Sequence, residues 1–308
     1  VVEAARVPYP QISGILENIV RSGGKRLRPR LVLLAGRAWN YEESFDTLVA
    51  AAAGVELLHT ASLVHDDAVD HSAFRRGKPT LNSQVDTAAV ILVGDYLFAQ
   101  SAILAASTNS PRVVAVFSNS LGDICDGQLM EMMDARKPEQ TERQYLARIY
   151  GKTASLFGCA AETGAIIGGA PEDAISALRG YGDDLGLAFQ IMDDVLDLTG
   201  GSEQLGKPAG HDLLQSTITL PVIYYLQMLE TGGAAWRDVQ AIVDRSRQDD
   251  AFVTSVLDEI RESGAVERAI GRANDYIDQA KRRLDAVPDP ETRELLIELA
   301  ETSVRRES

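Results

Sequence analysis

Residues 48–70 read LVAAAAGVELLHTASLVHDDAVD, an alanine-rich apolar run that ends in three aspartates. A β-strand would not extend over so many residues, so this run predicts a long helix. Similar stretches cover residues 84–107, 111–134, 142–168 and 172–198. The breaks between them are rich in Gly, Pro, Asn and Ser, and the β-branched runs do not alternate with turn signals as strands would. The sequence therefore predicts an all-α protein.

The composition limits the class of protein. The chain has 308 residues, without a linker or a long repeat, so we expect residues 1–308 to form one domain. Its 45 acidic and 30 basic residues give a net charge of −15, which argues against nucleic-acid binding. Cys125 and Cys159 are too few for a disulfide scaffold and fit the reducing cytoplasm. We see no signal peptide and no apolar run near the ~20 residues of a membrane span.

Two segments repeat the pattern DDxxD, at Asp66–Asp70 and Asp193–Asp197. On a helix the first and last aspartates share one face, where their carboxylates repel unless a cation lies between them. Hard cations such as Mg²⁺ prefer oxygen ligands and accept substrate phosphates in their shell. One such cluster is also typical of a solvated helix end. Two copies, each after an apolar helix, predict a site where metal ions hold a pyrophosphate.

Short basic groups bounded by glycine accompany the aspartates. They are GGKRLRP at 23–29, RRGKP at 75–79, GKT at 151–153, which interrupts a helix, and GKP at 206–208. Glycine lets the backbone approach an anion closely. Each group alone is more often a surface charge than a ligand. Their spacing around the aspartate clusters favours anion binding.

Taken together, these residues resemble the trans-isoprenyl (polyprenyl) diphosphate synthases, most of all the medium- and long-chain members. The strings GGKRLRP, HTASLVHDDAVD, RRGKPT, LVGDYLFA, GKTASLF, LGLAFQIMDDVLD and GKPAGHDL occur in family order between residues 23 and 221. The resemblance implies an all-α isoprenoid-synthase-type bundle around a deep central cavity, and a homodimer. It implies a prenyltransferase that condenses isopentenyl diphosphate with an allylic diphosphate by ionisation, condensation and proton elimination. Membrane contact would then be transient, for product release.

The resemblance also implies a set of metal ligands and catalytic groups. The ligands of three Mg²⁺ ions, which Mn²⁺ can replace, would be Asp66, Asp70, Asp193 and Asp197. Asp67 and Asp194 would support these ligands without binding the metal ions themselves. The implied catalytic residues are Asp66, Lys152, Thr153, Gln190 and Asp193. Of these, Thr153 and Gln190 would face the reacting carbons, where their oxygens stabilise developing positive charge.

Two sets of side chains are implied as diphosphate ligands. The allylic diphosphate would be bound by Arg75, Lys152 and Lys207. The isopentenyl diphosphate would be bound by Lys25, Arg28, His59 and Arg76. One departure from the family pattern is Thr217, where many members have a lysine, so that one cation for the allylic diphosphate is absent.

Residues before the first cluster bear on product length. In short-chain members, bulky aromatic residues stand four and five positions before the first aspartate, where this chain has Ser62 and Ala61. Leu58, another turn away, is the next candidate stop, so the resemblance implies a product longer than C20. Another interpretation is that these small residues merely allow close helix packing. A residue from a neighbouring helix, such as Phe98 or Leu97, could also close the cavity.

Three alternatives remain open. The first is a geranylgeranyl or farnesyl diphosphate synthase of the same family. The second is a class I terpene cyclase, against which the second complete DDxxD motif speaks. The third is the non-catalytic partner of a heteromeric synthase, although such partners typically lose motif aspartates.

Overall fold

The computed structural model describes residues 1–3, 6–7, 9–21, 25–70, 72–75, 78–200 and 209–304, with the backbone alone at Gln11. Two predicted diphosphate ligands, Arg76 and Lys207, lie outside the described residues. The same holds for the glycines Gly23 and Gly24 of the first basic group.

Helices make up most of the described part. They are α1 (Pro10–Arg21), α2 (Leu27–Arg37), α3 (Tyr41–Val69), α4 (Thr87–Ser107), α5 (Pro111–Asp134), α6 (Glu142–Ile149), α7 (Ser155–Gly168), α8 (Glu172–Thr199), α9 (His211–Leu214), α10 (Leu220–Met228), α11 (Ala234–Val243), α12 (Asp250–Glu262), α13 (Ala265–Arg283) and α14 (Pro290–Val304). Two short strands, β1 (Phe74–Arg75) and β2 (Lys78–Pro79), form an antiparallel ribbon. The predicted all-α class is confirmed.

The helix ends follow the sequence signals closely. Helix α5 begins at Pro111 and α8 begins directly after Pro171, as the first-turn preference of proline indicates. Helix α3 begins earlier than the apolar run, at Tyr41, with Glu42 and Glu43 in its first turn, where the macrodipole favours acids. The interruption predicted at residues 151–153 is confirmed, because a π-helical turn over Tyr150–Ala154 separates α6 from α7.

Contacts divide the chain into two compact units. Unit one comprises Val1–Gly122, Ser155–Asp183 and Lys281–Ala300. Unit two comprises Asp123–Ala154, Asp184–Ala280 and Glu301–Ser308. The single-domain organisation of residues 1–308 stays a prediction.

Unit one is built on two helix pairs. Helix α3 packs along α4, and Leu57, Ala61 and Val64 of α3 join a buried apolar cluster with Leu97 of α4 and Leu16 of α1. Helix α2 packs on α7. Their backbones approach so closely that a side chain in place of Gly164 would collide with the carbonyl of Val32. This pair therefore requires glycine at the contact.

Unit two is organised around α6, the π turn and the second half of α8. A capping box between Thr141 and Gln144 begins α6. Arg148 of α6 is buried, and it donates to Gln140 Oε1 at 2.8 Å and to the carbonyl of Ile218 at 2.5 Å. These bonds satisfy a buried guanidinium and fix the backbone before α10.

Two helices of the described part are long and apolar enough to cross a membrane, by length and composition alone. In α3, 61% of the most apolar window is buried inside the protein, as in a core helix. In α4 only 33% is buried. Because no single apolar run in the sequence is that long, this feature of α4 was missed. It leaves an exposed apolar face to be explained.

Candidate active site

The first aspartate cluster, Asp66, Asp67 and Asp70, ends helix α3. Asp70 is the C-cap residue, and the last turn of this fully described helix has no basic residue. Three carboxylates thus lie at the negative end of the macrodipole, which is unfavourable unless a cation binds nearby. Asp66 is half-buried and Asp70 is exposed, so a hydrated ion can reach both. The donor set fits Mg²⁺, which prefers oxygen ligands.

Asp67, between them, is buried and bound by an arginine. Arg75 of β1 donates from Nε to Asp67 Oδ1 at 2.8 Å. Burial raises the pKa of Asp67 above its ordinary value, and the Arg75 charge opposes that rise. The structure therefore joins a predicted supporting aspartate to a predicted allylic-diphosphate ligand.

Three predicted isopentenyl-diphosphate ligands lie in unit one: Lys25, Arg28 and His59. Lys25 is exposed before α2, whereas Arg28 is half-buried in its first turn. The Arg28 guanidinium carbon lies 4.2 Å from the ring centroid of Phe157, a cation–π contact that restrains the side chain. His59 is half-buried on α3, two turns before Asp66.

The second cluster lies near the end of α8, and its members differ in exposure. Asp193 is half-buried, whereas Asp194 and Asp197 are buried. Asp197 Oδ2 accepts the backbone N–H of Asp212 at 3.0 Å, and the Asp197 carbonyl accepts the N–H of Gly210. Asp197 thus holds the segment that leads into α9, in addition to its predicted role as a metal ligand.

A chain of hydrogen bonds runs from Asp194 to the π turn. Asp194 accepts from the Tyr145 hydroxyl at 2.8 Å and from Gln190 Nε2 at 2.7 Å. Thr153 in turn donates from Oγ1 to Gln190 Oε1 at 2.7 Å. Burial, and then the charge of Asp212, raise the pKa of Asp194 well above its ordinary range. The structure thus brings together Thr153, Gln190 and Asp194.

The π turn carries Lys152 and Thr153. A side chain at Gly127 of α5 would collide with the backbone nitrogen of Lys152, so the turn packs directly on α5. Lys152 Nζ lies 2.5 Å from Glu131 Oε1 of the same helix. Such turns are frequent at functional sites, and here the turn orients two predicted catalytic residues.

The residues predicted to set product length lie on one stretch of α3. Ala61 and Leu58 are buried, and Ala61 belongs to the apolar cluster of unit one. Ser62 is half-buried, and its hydroxyl donates to the His59 carbonyl of its own helix at 2.9 Å. On α4, the half-buried Phe98 lies with its ring centroid 5.0 Å from that of His65. Of the two small residues Ala61 and Ser62, the half-buried Ser62 is the less tightly packed.

Several side chains in these networks carry no motif signal that sequence reasoning used. Tyr145 and Glu131 lie outside the quoted strings, whereas Arg26, Glu56 and Phe157 lie within or beside them. Arg26 forms an ion pair with Glu56 inside unit one. The sequence feature that could have indicated this ion pair is the glutamate within an apolar helix, because a buried charge requires a partner.

Among the residues that the structure describes, no three His, Cys, Asp or Glu side chains converge into a complete metal cage. A Mg²⁺ ion that acts on phosphates is usually bound by one or two carboxylates, and waters and phosphate oxygens complete its octahedron. The oxygen ligands of each cluster, taken by itself, fit an ion of that kind.

Comparison with known proteins gives a consistent result. A family model described as polyprenyl synthetase matches residues 9–260. Heptaprenyl diphosphate synthase component 2 of Geobacillus stearothermophilus is 38% identical over 297 residues, which are 96% of this chain and 90% of that protein. Octaprenyl diphosphate synthase of Escherichia coli is 37% identical, over 94% of this chain and 88% of its own length.

The fold has solved counterparts as well. The crystal structure of a decaprenyl diphosphate synthase from Rhodobacter capsulatus matches with a TM-score of 0.91 and 39% identity. The match covers 99% of this chain and 93% of that one.

Proposed function

The chain belongs to the polyprenyl synthetase family, and from this premise we propose how its residues extend an allylic diphosphate with isopentenyl diphosphate. The resemblance found in the motifs is confirmed: the protein is a trans-polyprenyl diphosphate synthase, a transferase of prenyl groups. In the proposed reaction the allylic C–O bond breaks, and the double bond of isopentenyl diphosphate attacks the allylic carbon. A proton then leaves, and pyrophosphate is released. Residues 1–308 act as one catalytic domain in this reaction.

Members of this family use divalent metal ions, and we assign their binding to the outer aspartates of both clusters. The assigned ligands are Asp66, Asp70, Asp193 and Asp197, for three Mg²⁺ ions, with Mn²⁺ as a substitute. When bound, the ions neutralise the charge that develops on the departing pyrophosphate. Asp67 and Asp194, each bound by neighbouring side chains, support the outer aspartates of their own cluster.

Fixed cations bind the two diphosphates in this proposal. Arg75, Lys152 and Lys207 bind the allylic diphosphate. Lys25, Arg28, His59 and Arg76 bind isopentenyl diphosphate. Lys152 contacts Glu131 in the structure, so its ammonium group exchanges a carboxylate for a phosphate when substrate binds. Arg75 keeps its Nε on Asp67 and offers the other edge of its guanidinium to the substrate.

Thr153 and Gln190 stabilise the allylic cation through oxygen dipoles. The Thr153 proton is already donated to Gln190 Oε1, so the hydroxyl presents lone pairs rather than a donor. Gln190 is fixed at both ends, because its amide nitrogen donates to Asp194. Fixed dipoles need no reorganisation during the reaction. The departing pyrophosphate accepts the final proton.

One observation carries the proposal: each DDxxD cluster ends an apolar helix with its middle aspartate already bound by neighbouring side chains. The test incubates the purified protein with farnesyl diphosphate, labelled isopentenyl diphosphate and Mg²⁺, and then sizes the products. We expect products longer than C20, none with EDTA, and recovery when Mg²⁺ is restored. No labelled product at any Mg²⁺ concentration would refute the proposed reaction. A dominant product of C20 or shorter would favour the geranylgeranyl or farnesyl alternative.

Product length is assigned to Ser62, Ala61 and Leu58. Ala61 is fully buried in the unit-one cluster, so Ala61→Phe also overpacks the core by about 1–3 kcal/mol. Ser62→Phe is therefore the sharper variant, and Ser62→Ala is its matched control. We expect Ser62→Phe to shorten the products and Ser62→Ala to leave them unchanged. If Ser62→Phe leaves the product length unchanged, this face of α3 does not limit the length of the product.

The same assay tests the two more distant alternatives. One relative carries the name component 2, which indicates that its own synthase has a further component. Elongation by this chain alone would exclude a non-catalytic partner role. A terpene cyclase would instead convert the allylic diphosphate without incorporating labelled isopentenyl diphosphate.

We assign the exposed apolar face of α4 to a homodimer contact. Ile91, Leu92 and Ile103 are 45%, 68% and 58% exposed, in a helix whose most apolar window has a mean hydropathy of 1.7. A monomer would leave this surface in water. Leu92→Glu should convert dimer to monomer in analytical ultracentrifugation. A wild-type chain that is monomeric and floats with liposomes would assign this face to membrane contact instead.

The cytoplasm is the proposed compartment. Both cysteines are free thiols, with Cys159 buried and Cys125 exposed. Burial raises the pKa of Cys159 to about 12, so this thiol stays protonated and inert. Membrane contact is then limited to the transient release of the product.

A further inference from the structure

An ion pair in unit one joins the segment that follows α1 to helix α3. Arg26 donates from Nη1 to Glu56 Oε1 and from Nη2 to the carbonyl of Val20. Glu56 is only 6% exposed, and a buried carboxylate requires a partner such as this guanidinium. Val20 lies in the last turn of α1, so the same side chain satisfies a carbonyl at a helix end. The function proposed above uses neither Arg26 nor Glu56.

The backbone at Arg26 is in the left-handed region, with φ 49° and ψ 40°. This conformation is unfavourable for a residue with a side chain. It persists where the surroundings determine it, and here the bonds to Glu56 and Val20 do so. Lys25 directly precedes Arg26, and Arg28 follows in the first turn of α2. The conformation at Arg26 therefore sets the direction of both flanking cations.

The other end of the pair lies close to a third proposed ligand. Glu56 precedes His59 by three residues on α3, which is about one turn. The ion pair thus connects the two segments that carry the described ligands assigned to isopentenyl diphosphate. Arg28 is restrained independently by its contact with Phe157. The link that Arg26 makes to Glu56 and Val20 is specific to arginine, because lysine lacks the planar fork that reaches a carboxylate and a carbonyl together.

We propose that Arg26 and Glu56 are positioning residues of the isopentenyl diphosphate subsite, an inference that rests on the proposed function. They fix the positions of Lys25, Arg28 and His59 relative to one another, and Arg26 itself does not bind the substrate. The pair acts on the binding of one substrate. It leaves the second substrate and the chemical step unchanged.

The decisive variant is Glu56→Gln, which keeps the shape and removes the charge. Steady-state kinetics are measured with isopentenyl diphosphate varied at saturating allylic diphosphate, and then the reverse. We expect the KM for isopentenyl diphosphate to rise about tenfold, as for loss of a hydrogen bond to a charged group. The kcat and the KM for the allylic diphosphate should change less than about twofold. A general loss of structure would move all three.

Three companion variants complete the test. Arg26→Lys, which keeps the charge and loses the fork, should give the same selective rise in KM. The double variant Arg26→Gln/Glu56→Gln should be no worse than the worse single variant, because both act through one contact. The control is Glu291→Gln, which breaks the Arg37–Glu291 pair of unit one, 2.8 Å long, and should leave every constant unchanged. Thermal melting confirms that each variant is folded.

The outcomes separate this inference from the proposed function. If the wild-type chain does not incorporate isopentenyl diphosphate, the proposed function fails. If it does, and Glu56→Gln leaves that KM unchanged, only the inference fails, because the ligands do not depend on the pair; a lowered KM overturns it as well, because a released Arg26 would then bind the substrate directly. Should Glu56→Gln not fold, an unchanged KM in Arg26→Lys overturns the inference equally.

Discussion

The two aspartate clusters have the same spacing and different surroundings. In unit one, the middle residue Asp67 is bound by the charged Arg75, and the last residue, Asp70, is exposed at a helix end. In unit two, the middle residue Asp194 is fully buried and bound by two neutral donors, Tyr145 and Gln190. The last residue, Asp197, is buried as well. The motif thus occurs once with an ion-paired middle aspartate and an exposed last aspartate, and once with both of these residues buried and hydrogen-bonded.

This difference shows how each unit keeps an aspartate in place. A half-exposed arginine supplies charge, which water and salt screen. Neutral donors in a buried site supply direction, and their bonds are costly to lose because water cannot replace them. We therefore expect the second cluster to be the more rigid one. The first should respond more to its ionic surroundings.

The largest expected effect comes from removing an outer carboxylate from either cluster. Asp66→Asn and Asp193→Asn each remove one proposed metal ligand and retain the side-chain volume. We expect kcat to fall at least about 100-fold in both, the scale for losing one group that stabilises the transition state. The measurement is labelled isopentenyl diphosphate incorporation at saturating substrates across a Mg²⁺ titration.

The controls lie on the same helices. Asp46→Asn on α3 and Asp173→Asn on α8 remove exposed carboxylates far along the chain from the clusters, and they should leave kcat unchanged. A large loss in only one of the two cluster variants would break the comparison, because one cluster alone would then hold the metal ions.

The second effect concerns stability. Tyr145→Phe removes a neutral donor from buried Asp194, which should lower the free energy of unfolding by about 1–3 kcal/mol. Arg75→Gln removes the charged donor of buried Asp67, but the Arg75 side chain is 38% exposed, so water can partly replace it and the cost should be smaller, about 1 kcal/mol. Urea denaturation of both variants without metal gives the ranking. The reverse order would mean that charge, rather than buried hydrogen bonds, fixes these clusters.

A third effect tests how far each network extends. The chain from Asp194 continues through Gln190 to Thr153. Thr153→Val removes the hydroxyl at nearly constant volume, so Gln190 Oε1 loses its donor and the cation loses a dipole. We expect kcat to fall about tenfold, which corresponds to one hydrogen bond. Thr153→Ser retains the hydroxyl and should stay within about threefold of wild type; an equal loss in both would assign the effect to packing.

Much of the fold was predictable because its signals are local. Alanine-rich periodicity predicted α3, and Pro111 marked the start of α5. Gly151 indicated the break that the structure shows as a π turn. The partners of the motif residues were less accessible, because they depend on contacts distant in sequence. Tyr145 lies 49 positions from Asp194, and an isolated tyrosine in an amphipathic helix has no distinguishing pattern.

The sequence also could not distinguish the two clusters. Both read DDxxD after an apolar run, and the outer aspartates of both were predicted to be metal ligands. Their difference arises from burial, which depends on what packs against α3 and α8. The exposed face of α4 escaped notice for the same reason, since composition predicts an apolar helix and does not predict how much of it is covered.

The smallest expected effect is the dependence of the two restraints on salt. The Arg75–Asp67 pair, with Arg75 38% exposed, should be weakened by KCl, because the Debye length falls from about 10 Å at 0.1 M to about 3 Å at 1 M. The destabilisation caused by Arg75→Gln should therefore shrink by a few tenths of a kcal/mol at high salt. That caused by Tyr145→Phe should change less, because its bond lies in a buried site, where salt screens charges only weakly. Urea titrations of wild type and both variants at the two salt concentrations give the four differences. Equal salt responses in the two variants would mean that both clusters are bound in the same way, and the contrast between them would then be one of exposure alone.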